Sequence, residues 1–175
     1  MFSLLHLLSR SPEETQEIGR LLGQGAEAGD VFLLTGALGA GKTCLTQGIA
    51  WGLGVTGYAR SPTFVIATRY KGRLTLHHID LFRIQDSQEA WDLGLDEYLS
   101  SEGVCVVEWA DRVPEVFPQE SLWITLEYGA EETERLITIK VAGEMHGRLL
   151  KGLEQALETQ KGGKTSPSSS IRREE

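Results

Sequence analysis

Eight residues, Gly36-Ala37-Leu38-Gly39-Ala40-Gly41-Lys42-Thr43, carry the clearest chemistry in the chain. They fit G-x-x-x-x-G-K-[ST], the phosphate-binding P-loop. Glycines in such a loop let backbone N–H groups turn toward phosphate oxygens, where a side chain would block approach. The helix that follows points the positive end of its dipole at the same anion. In this pattern Gly36, Leu38, Gly39, Ala40 and Gly41 form the cradle. Lys42 reaches the β- and γ-phosphates, and the Thr43 hydroxyl binds Mg²⁺.

A P-loop needs an acidic partner to help hold Mg²⁺, usually at the end of an adjacent buried strand. Glu108 stands there, directly after Val104-Cys105-Val106-Val107. The bland alternative is a strand-end glutamate facing solvent. Asp80 follows Leu74-Thr75-Leu76-His77-His78-Ile79. It either orients a water, acts as a base or meets Mg²⁺ through water, or it caps a local turn. His77 and His78 resemble a metal pair only superficially. Neighbours on a strand point to opposite faces, so one is read as core and one as surface. Ser61-Pro62-Thr63-Phe64 offers a hydroxyl that senses a γ-phosphate, or simply a turn with Pro at its second position. Trp109 either stacks on a partner or packs. Cys44 reads as a small buried thiol rather than a redox group.

These residues need elements to hold them. Asp30 to Thr35 reads as a buried strand and Cys44 to Leu53 as a helix, the strand–loop–helix setting the motif requires. Phe2 to Leu8 reads as an edge strand. Ser11-Pro12-Glu13-Glu14 is a capping box opening a helix that runs to about Ala26. Thr63 to Tyr70 and Leu74 to Ile79 read as strands joined at Lys71-Gly72. Ser87 to Leu99 reads as helix and Val104 to Val107 as a central buried strand. Leu122 to Tyr128 and Leu136 to Val141 form a strand pair, and a last helix spans about Glu144 to Leu157. The order mixes βαβ units with antiparallel pairs. It predicts an α/β fold: a single P-loop NTPase-like domain over residues 1–158, with a mixed parallel/antiparallel central sheet flanked by helices. Residues 159–175 are Gly/Ser/Pro-rich and charged, which predicts a flexible, disordered tail.

The 175 residues suffice for one domain with a real core. The formal net charge of −8 argues against a broad, autonomous nucleic-acid surface. Two cysteines make no disulfide framework. No stretch approaches a membrane span, and the apolar first ten residues lack a basic start and a cleavage site. The expected compartment is the cytoplasm.

Several blocks in order resemble one family, TsaE, the P-loop ATPase of tRNA threonylcarbamoyladenosine biosynthesis. They are the P-loop itself, then Ser61-Pro62-Thr63-Phe64, then His77-His78-Ile79-Asp80-Leu81-Phe82-Arg83, then Leu93-Gly94-Leu95-Asp96-Glu97-Tyr98-Leu99, then Val107-Glu108-Trp109. The P-loop alone is shared widely; the later blocks in this order are far more specific. The resemblance implies a cytoplasmic protein that binds ATP and Mg²⁺ and hydrolyses ATP slowly alone. It implies work with the TsaB and TsaD proteins, which modify adenosine 37 of tRNAs reading codons that begin with A. tRNA is then met indirectly, through the complex. It implies Mg²⁺ ligands at Thr43 and Glu108, and catalytic roles for Lys42, Glu108 and Asp80. Trp109 matches a position tied to nucleotide response. Ser11 and Arg135 are candidates to border the adenine. Ala37 stands where the family often has Asp, and Cys44 replaces a common Thr, neither with an obvious cost.

Two other readings compete. A small-molecule P-loop kinase needs an Arg-bearing lid, and Arg69, Arg73 and Arg83 are scattered. A nucleotide-gated interaction module with little turnover shades into the first reading, because slow hydrolysis can time an assembly.

Overall fold

Alternation on the central strands sorts their side chains onto two faces, and helices cover both. The computed structural model describes residues 2–60, 66–144, 146–162 and 168–172. Eight strands form one sheet: β1 (Phe2–Ser9), β2 (Val31–Thr35), β3 (Ala67–Lys71), β4 (Thr75–Asp80), β5 (Val104–Glu108), β6 (Leu122–Tyr128), β7 (Arg135–Ala142) and β8 (Ser168–Arg172). The helices are α1 (Pro12–Gly25), α2 (Lys42–Gly52), α3 (Ser87–Asp92), α4 (Leu95–Leu99) and α5 (Gly147–Lys161). The spatial order is β3-β4-β5-β2-β6-β7-β1-β8. β4, β5, β2 and β6 run parallel, and the remaining pairings are antiparallel. The mixed sheet flanked by helices is the architecture the sequence predicts.

One core joins Phe32, Leu34, Leu76, Val104 and Val106 with α1, α2 and α5. The other joins Leu33, Ile79, Cys105 and Val107 with Ala90 of α3 and Leu95 of α4. Apolar side chains cover both faces, which is why the central strands read as largely continuous hydrophobic runs rather than alternating ones.

Helices α1 and α2 touch backbone to backbone. A Cβ on Gly48 would lie 2.1 Å from Gln16 O, and one on Gly19 would lie 2.3 Å from Leu45 O. Glycine is required there by space alone. The contact fixes α2, and with it Lys42 and Thr43, against α1. The start of α1 is capped as predicted: the Glu14 N–H donates to Ser11 Oγ at 3.1 Å. Glu14 reaches back one residue further than the standard box, accepting from the Arg10 N–H at 2.7 Å.

Three expectations differ from the structure. The single helix from Ser87 to Leu99 is two short ones, because Gly94 takes a left-handed φ of 81° between them. β1 is not at the edge of the sheet: it lies between β7 and β8. Where the sequence predicts a flexible tail from residue 159, α5 continues to Lys161 and Ser168–Arg172 pairs antiparallel with β1. A serine run carries no hydrophobic period, so nothing in its pattern announces a strand.

Candidate nucleotide site

The loop of residues 36–41 leaves the C-terminal end of β2 and enters α2, at the end of the sheet where the parallel strands β4 and β5 also finish. Open parallel sheets bind ligands at this end. Gly36, Gly39 and Gly41 have φ of 145°, 78° and 104°, a curl closed to most side chains. The loop is held from outside. Tyr128 OH donates to Leu38 O at 2.8 Å, and Arg135 Nε donates to Ala40 O at 3.1 Å. Tyr128 and Arg135 are themselves a register pair of β6 and β7, with the guanidinium 4.4 Å from the phenol ring centroid. Arg135, the candidate to border an adenine, thus contacts carbonyls of the loop, and it also donates to Glu132 O and Glu134 O.

Lys42 opens α2 and is buried. Its ammonium donates to Gly36 O at 2.5 Å and Ala37 O at 2.9 Å. It also sits 3.9 Å from the centre of the Trp109 ring, a cation–π distance. Burial pulls Lys42 below the usual lysine value, against the opposing pull of Glu108, Asp111 and Asp80. Thr43 Oγ1 donates to Glu108 Oε2 at 3.1 Å. These two groups, 65 residues apart in sequence, are the pair predicted to share a metal.

Glu108 ends β5 and is not solvent-facing: only 2% of it is exposed. Its second oxygen, Oε1, takes His78 Nε2 at 2.8 Å and Thr46 Oγ1 at 3.2 Å. Asp80 ends β4 directly beside Glu108 in register. Its Oδ1 accepts the Phe82 N–H at 2.8 Å, the turn-capping bond that the bland reading foresaw. Burial, helped by the nearby Glu108 charge, pushes Asp80 above the ordinary carboxylate value, and the Phe82 N–H opposes the shift. A carboxylate so placed both caps the turn and stands closer to neutral pH as a proton acceptor.

Trp109 follows with a φ of 58°, left-handed for a non-glycine residue. Such a conformation costs about 1–3 kcal/mol and must be held by its surroundings. Phe82 packs on its ring at 4.9 Å between centroids, and Arg112 lies over both rings. The turn aims the indole at Lys42. Lys42, Thr43, Asp80, Phe82, Glu108 and Trp109 together line a cavity of about 330 Å³ beside the loop.

The donor set fits a nucleotide with Mg²⁺. A hydroxyl and a carboxylate are hard oxygen ligands, and Mg²⁺ is commonly held by one or two such groups with phosphate and water completing the shell. Lys42 would hold the phosphates; Thr43 and Glu108 would hold the metal. Among the described residues no cluster of three His, Cys, Asp or Glu side chains stands ready for a metal on its own.

The structure brings together Lys42, Thr43, Asp80, Glu108 and Trp109. It does not bring the histidines together: His78 meets Glu108, while His77 lies in the opposite layer against Tyr98 at 5.6 Å. The surface assignment of one histidine is corrected, since both are buried. Strand alternation was right, but both faces of this sheet are covered. Ser61-Pro62-Thr63-Phe64 lies outside the described residues. Ser11 is occupied as a helix cap. Cys44 is half-buried, with Sγ 3.3 Å from Pro12 O and its thiol raised by burial, consistent with an unreactive group. Burial likewise pushes Cys105 up to about 12. Sequence reasoning missed His78, Thr46 and Tyr128 as site residues. His78 was legible, being two positions before Asp80 and so on its face.

The profile of the family described as "Threonylcarbamoyl adenosine biosynthesis protein TsaE" matches residues 9–137. The chain belongs to the TsaE family. It is 45% identical over 146 residues to the tRNA threonylcarbamoyladenosine biosynthesis protein TsaE of Bacillus subtilis, covering 83% of this chain and 90% of the relative. It is 41% identical over 122 residues to the protein of the same name from Treponema pallidum, covering 70% and 90%. The crystal structure of Bacillus subtilis YdiB superposes with a TM-score of 0.76 at 39% identity, across 89% of this chain and 97% of that one. The family match spans the loop, Asp80 and Glu108. TsaE proteins are the family of tRNA threonylcarbamoyladenosine biosynthesis. Among the described residues no helix is long and apolar enough to cross a membrane.

Proposed function

We propose that this TsaE protein binds ATP with Mg²⁺ in the 36–43 loop and hydrolyses it slowly, serving threonylcarbamoyl modification of adenosine 37 in tRNA together with TsaB and TsaD. The observation that carries the reading is the 3.1 Å contact between Thr43 Oγ1 and Glu108 Oε2 at the mouth of a glycine loop. Mg²⁺, when bound, supplies charge neutralisation on the transferring phosphoryl group.

The chain's own residues divide the remaining work. Lys42 is desolvated and poised on loop carbonyls, so phosphate oxygens are stronger acceptors toward which its ammonium can turn. Asp80, raised by burial, accepts a proton from, or orients, an attacking water. Trp109, with Phe82 packed on its ring, forms an apolar wall on one side of the Lys42 ammonium. The net charge of −8 supports delegating tRNA contact to partners, in the cytoplasm.

Phosphate release from ATP, measured alone and with the TsaB–TsaD pair, tests this. The reading expects slow release alone and a rise with the pair. Release that stays at background with the pair and tRNA present removes it.

A further inference from the structure

We propose that His78 is the positioning residue for the metal-binding carboxylate: its Nε2–H holds Glu108 Oε1, so that Oε2 is presented to Thr43 and the metal. The inference rests on the Mg²⁺–nucleotide reading above and adds a residue to it.

Three observations carry it. First, placement: His78 precedes Asp80 by two residues on β4, and Asp80 pairs in register with Glu108 on β5. Side chains two apart share a face, so His78 meets the Glu108 side chain diagonally across the parallel pair. Second, geometry: Nε2 lies 2.8 Å from Oε1, His78 is 0% exposed, and Glu108 is nearly as buried. With Oε1 as the acceptor of this contact, the imidazole proton facing it sits on Nε2. His78 Nδ1 has no hydrogen-bond partner among the described residues, so the contact to Glu108 is the ring's one hydrogen bond there.

Third, competition. Thr46 Oγ1 also approaches Oε1, at 3.2 Å, but it lies closer to Lys42 O, at 2.9 Å, within its own helix. One hydroxyl proton cannot serve both acceptors fully. Lys42 gives its ammonium to Gly36 O and Ala37 O. His78 is therefore the closer of the two donors to Oε1, at 2.8 Å against 3.2 Å, and Oε2 meets Thr43. Groups that hold a ligating carboxylate typically matter about 10–100-fold in metal affinity.

The test compares His78→Leu, His78→Gln and His78→Asn with the wild-type full chain. Binding of a fluorescent ADP analogue is titrated with Mg²⁺ and again in chelator, with thermal midpoints recorded alongside. Leucine keeps the bulk and removes the donor. Glutamine can place an N–H near the Nε2 position, and asparagine falls short of it. The expected result is an apparent Mg²⁺ affinity lower by about tenfold or more in His78→Leu and His78→Asn. Chelator binding then changes less than twofold, and His78→Gln regains most of the loss. If His78→Leu does not fold, the glutamine–asparagine contrast decides alone. In the metal-free protein, ring ¹⁵N spectra should place the proton on Nε2, with a signal that moves in Glu108→Gln.

Unchanged Mg²⁺ affinity in the leucine and asparagine variants overturns the inference. So does equal weakening with and without Mg²⁺, which marks a purely structural histidine, or a proton found on Nδ1. A wild-type chain whose nucleotide binding ignores Mg²⁺ instead removes the parent reading, and the inference with it.

Discussion

Asp80 and Glu108 stand in register at the C-terminal ends of the adjacent parallel strands β4 and β5, two carboxylates side by side under the same glycine loop. Their environments separate them. Glu108 is enclosed and hydrogen-bonded by Thr43, Thr46 and His78. Asp80 is half-buried, holds one backbone N–H and is raised above the ordinary carboxylate value. Two carboxylates with different surroundings can take different roles; under the proposed function Glu108 is the ligand and Asp80 handles the proton.

Asp80→Asn should therefore bind nucleotide normally and lose turnover by about 10²-fold or more, the usual scale for a positioned general base. It should also be more stable than wild type at neutral pH. The sign follows from the direction of the shift. The folded value lies above the unfolded one, so folding favours the protonated form. Asp80 therefore contributes stability below its unfolded value, and that contribution is lost as pH rises through the folded value. Thermal melts of the two proteins should diverge at neutral pH and converge below pH 3.8. Equal turnover removes the catalytic role; an equal melting curve at neutral pH removes the burial argument.

Lys42→Ala deletes the charge-assisted contact to phosphate, worth about 1.5–3 kcal/mol, so ADP and ATP should bind roughly 10–100-fold more weakly. Because the ammonium lies against the Trp109 ring, the intrinsic fluorescence of Trp109 should change in the same variant even without nucleotide. Calorimetric titration and emission spectra check the two halves separately.

Tyr128→Phe removes the hydroxyl that holds Leu38 O. The loss is one neutral hydrogen bond at a partly exposed site, about 1 kcal/mol at most. It should loosen the loop more than the fold. A several-fold weaker nucleotide affinity, with a thermal midpoint within about 2 °C of wild type, is the expected pattern. A large drop in midpoint with unchanged affinity would contradict the clamp.

Gly48→Ala should be severe. Its Cβ would meet Gln16 O at 2.1 Å across the α1–α2 contact, where both sides are backbone. Overpacking typically costs about 1–3 kcal/mol, and a contact where neither backbone can yield belongs at or above the upper end of that range. Denaturant unfolding should show the loss, and Gly147→Ala, whose Cβ meets nothing within 4 Å, serves as the control.

Much of this was legible before any coordinates. The loop, its flanking strand and helix, and the strand-end positions of Asp80 and Glu108 follow from motif, hydrophobic run and alternation. What pattern could not give was the third dimension of the polar groups. Thr46 looks like an ordinary helical threonine, and its place beside Glu108 depends on how closely α2 lies on the sheet. The position of α2 is further constrained by Gly19 and Gly48, where α1 and α2 meet backbone to backbone, a contact invisible to a hydrophobic count. Alternation put one of His77 and His78 at the surface, because the apolar cover on both faces of β4 comes from segments distant in sequence. The left-handed turn at Trp109 has no sequence signature, since a tryptophan is among the last residues expected there.

The most direct test of the account is phosphate release from ATP, with TsaB and TsaD present, as Mg²⁺ is titrated into the wild-type chain and into Glu108→Ala. The account predicts saturable Mg²⁺-dependent turnover in wild type. It predicts a loss of about 10²-fold or more in Glu108→Ala, with metal-free nucleotide binding preserved. Equal turnover and equal Mg²⁺ dependence in the two proteins would contradict the assignment of Glu108, with Thr43, as the metal-holding pair.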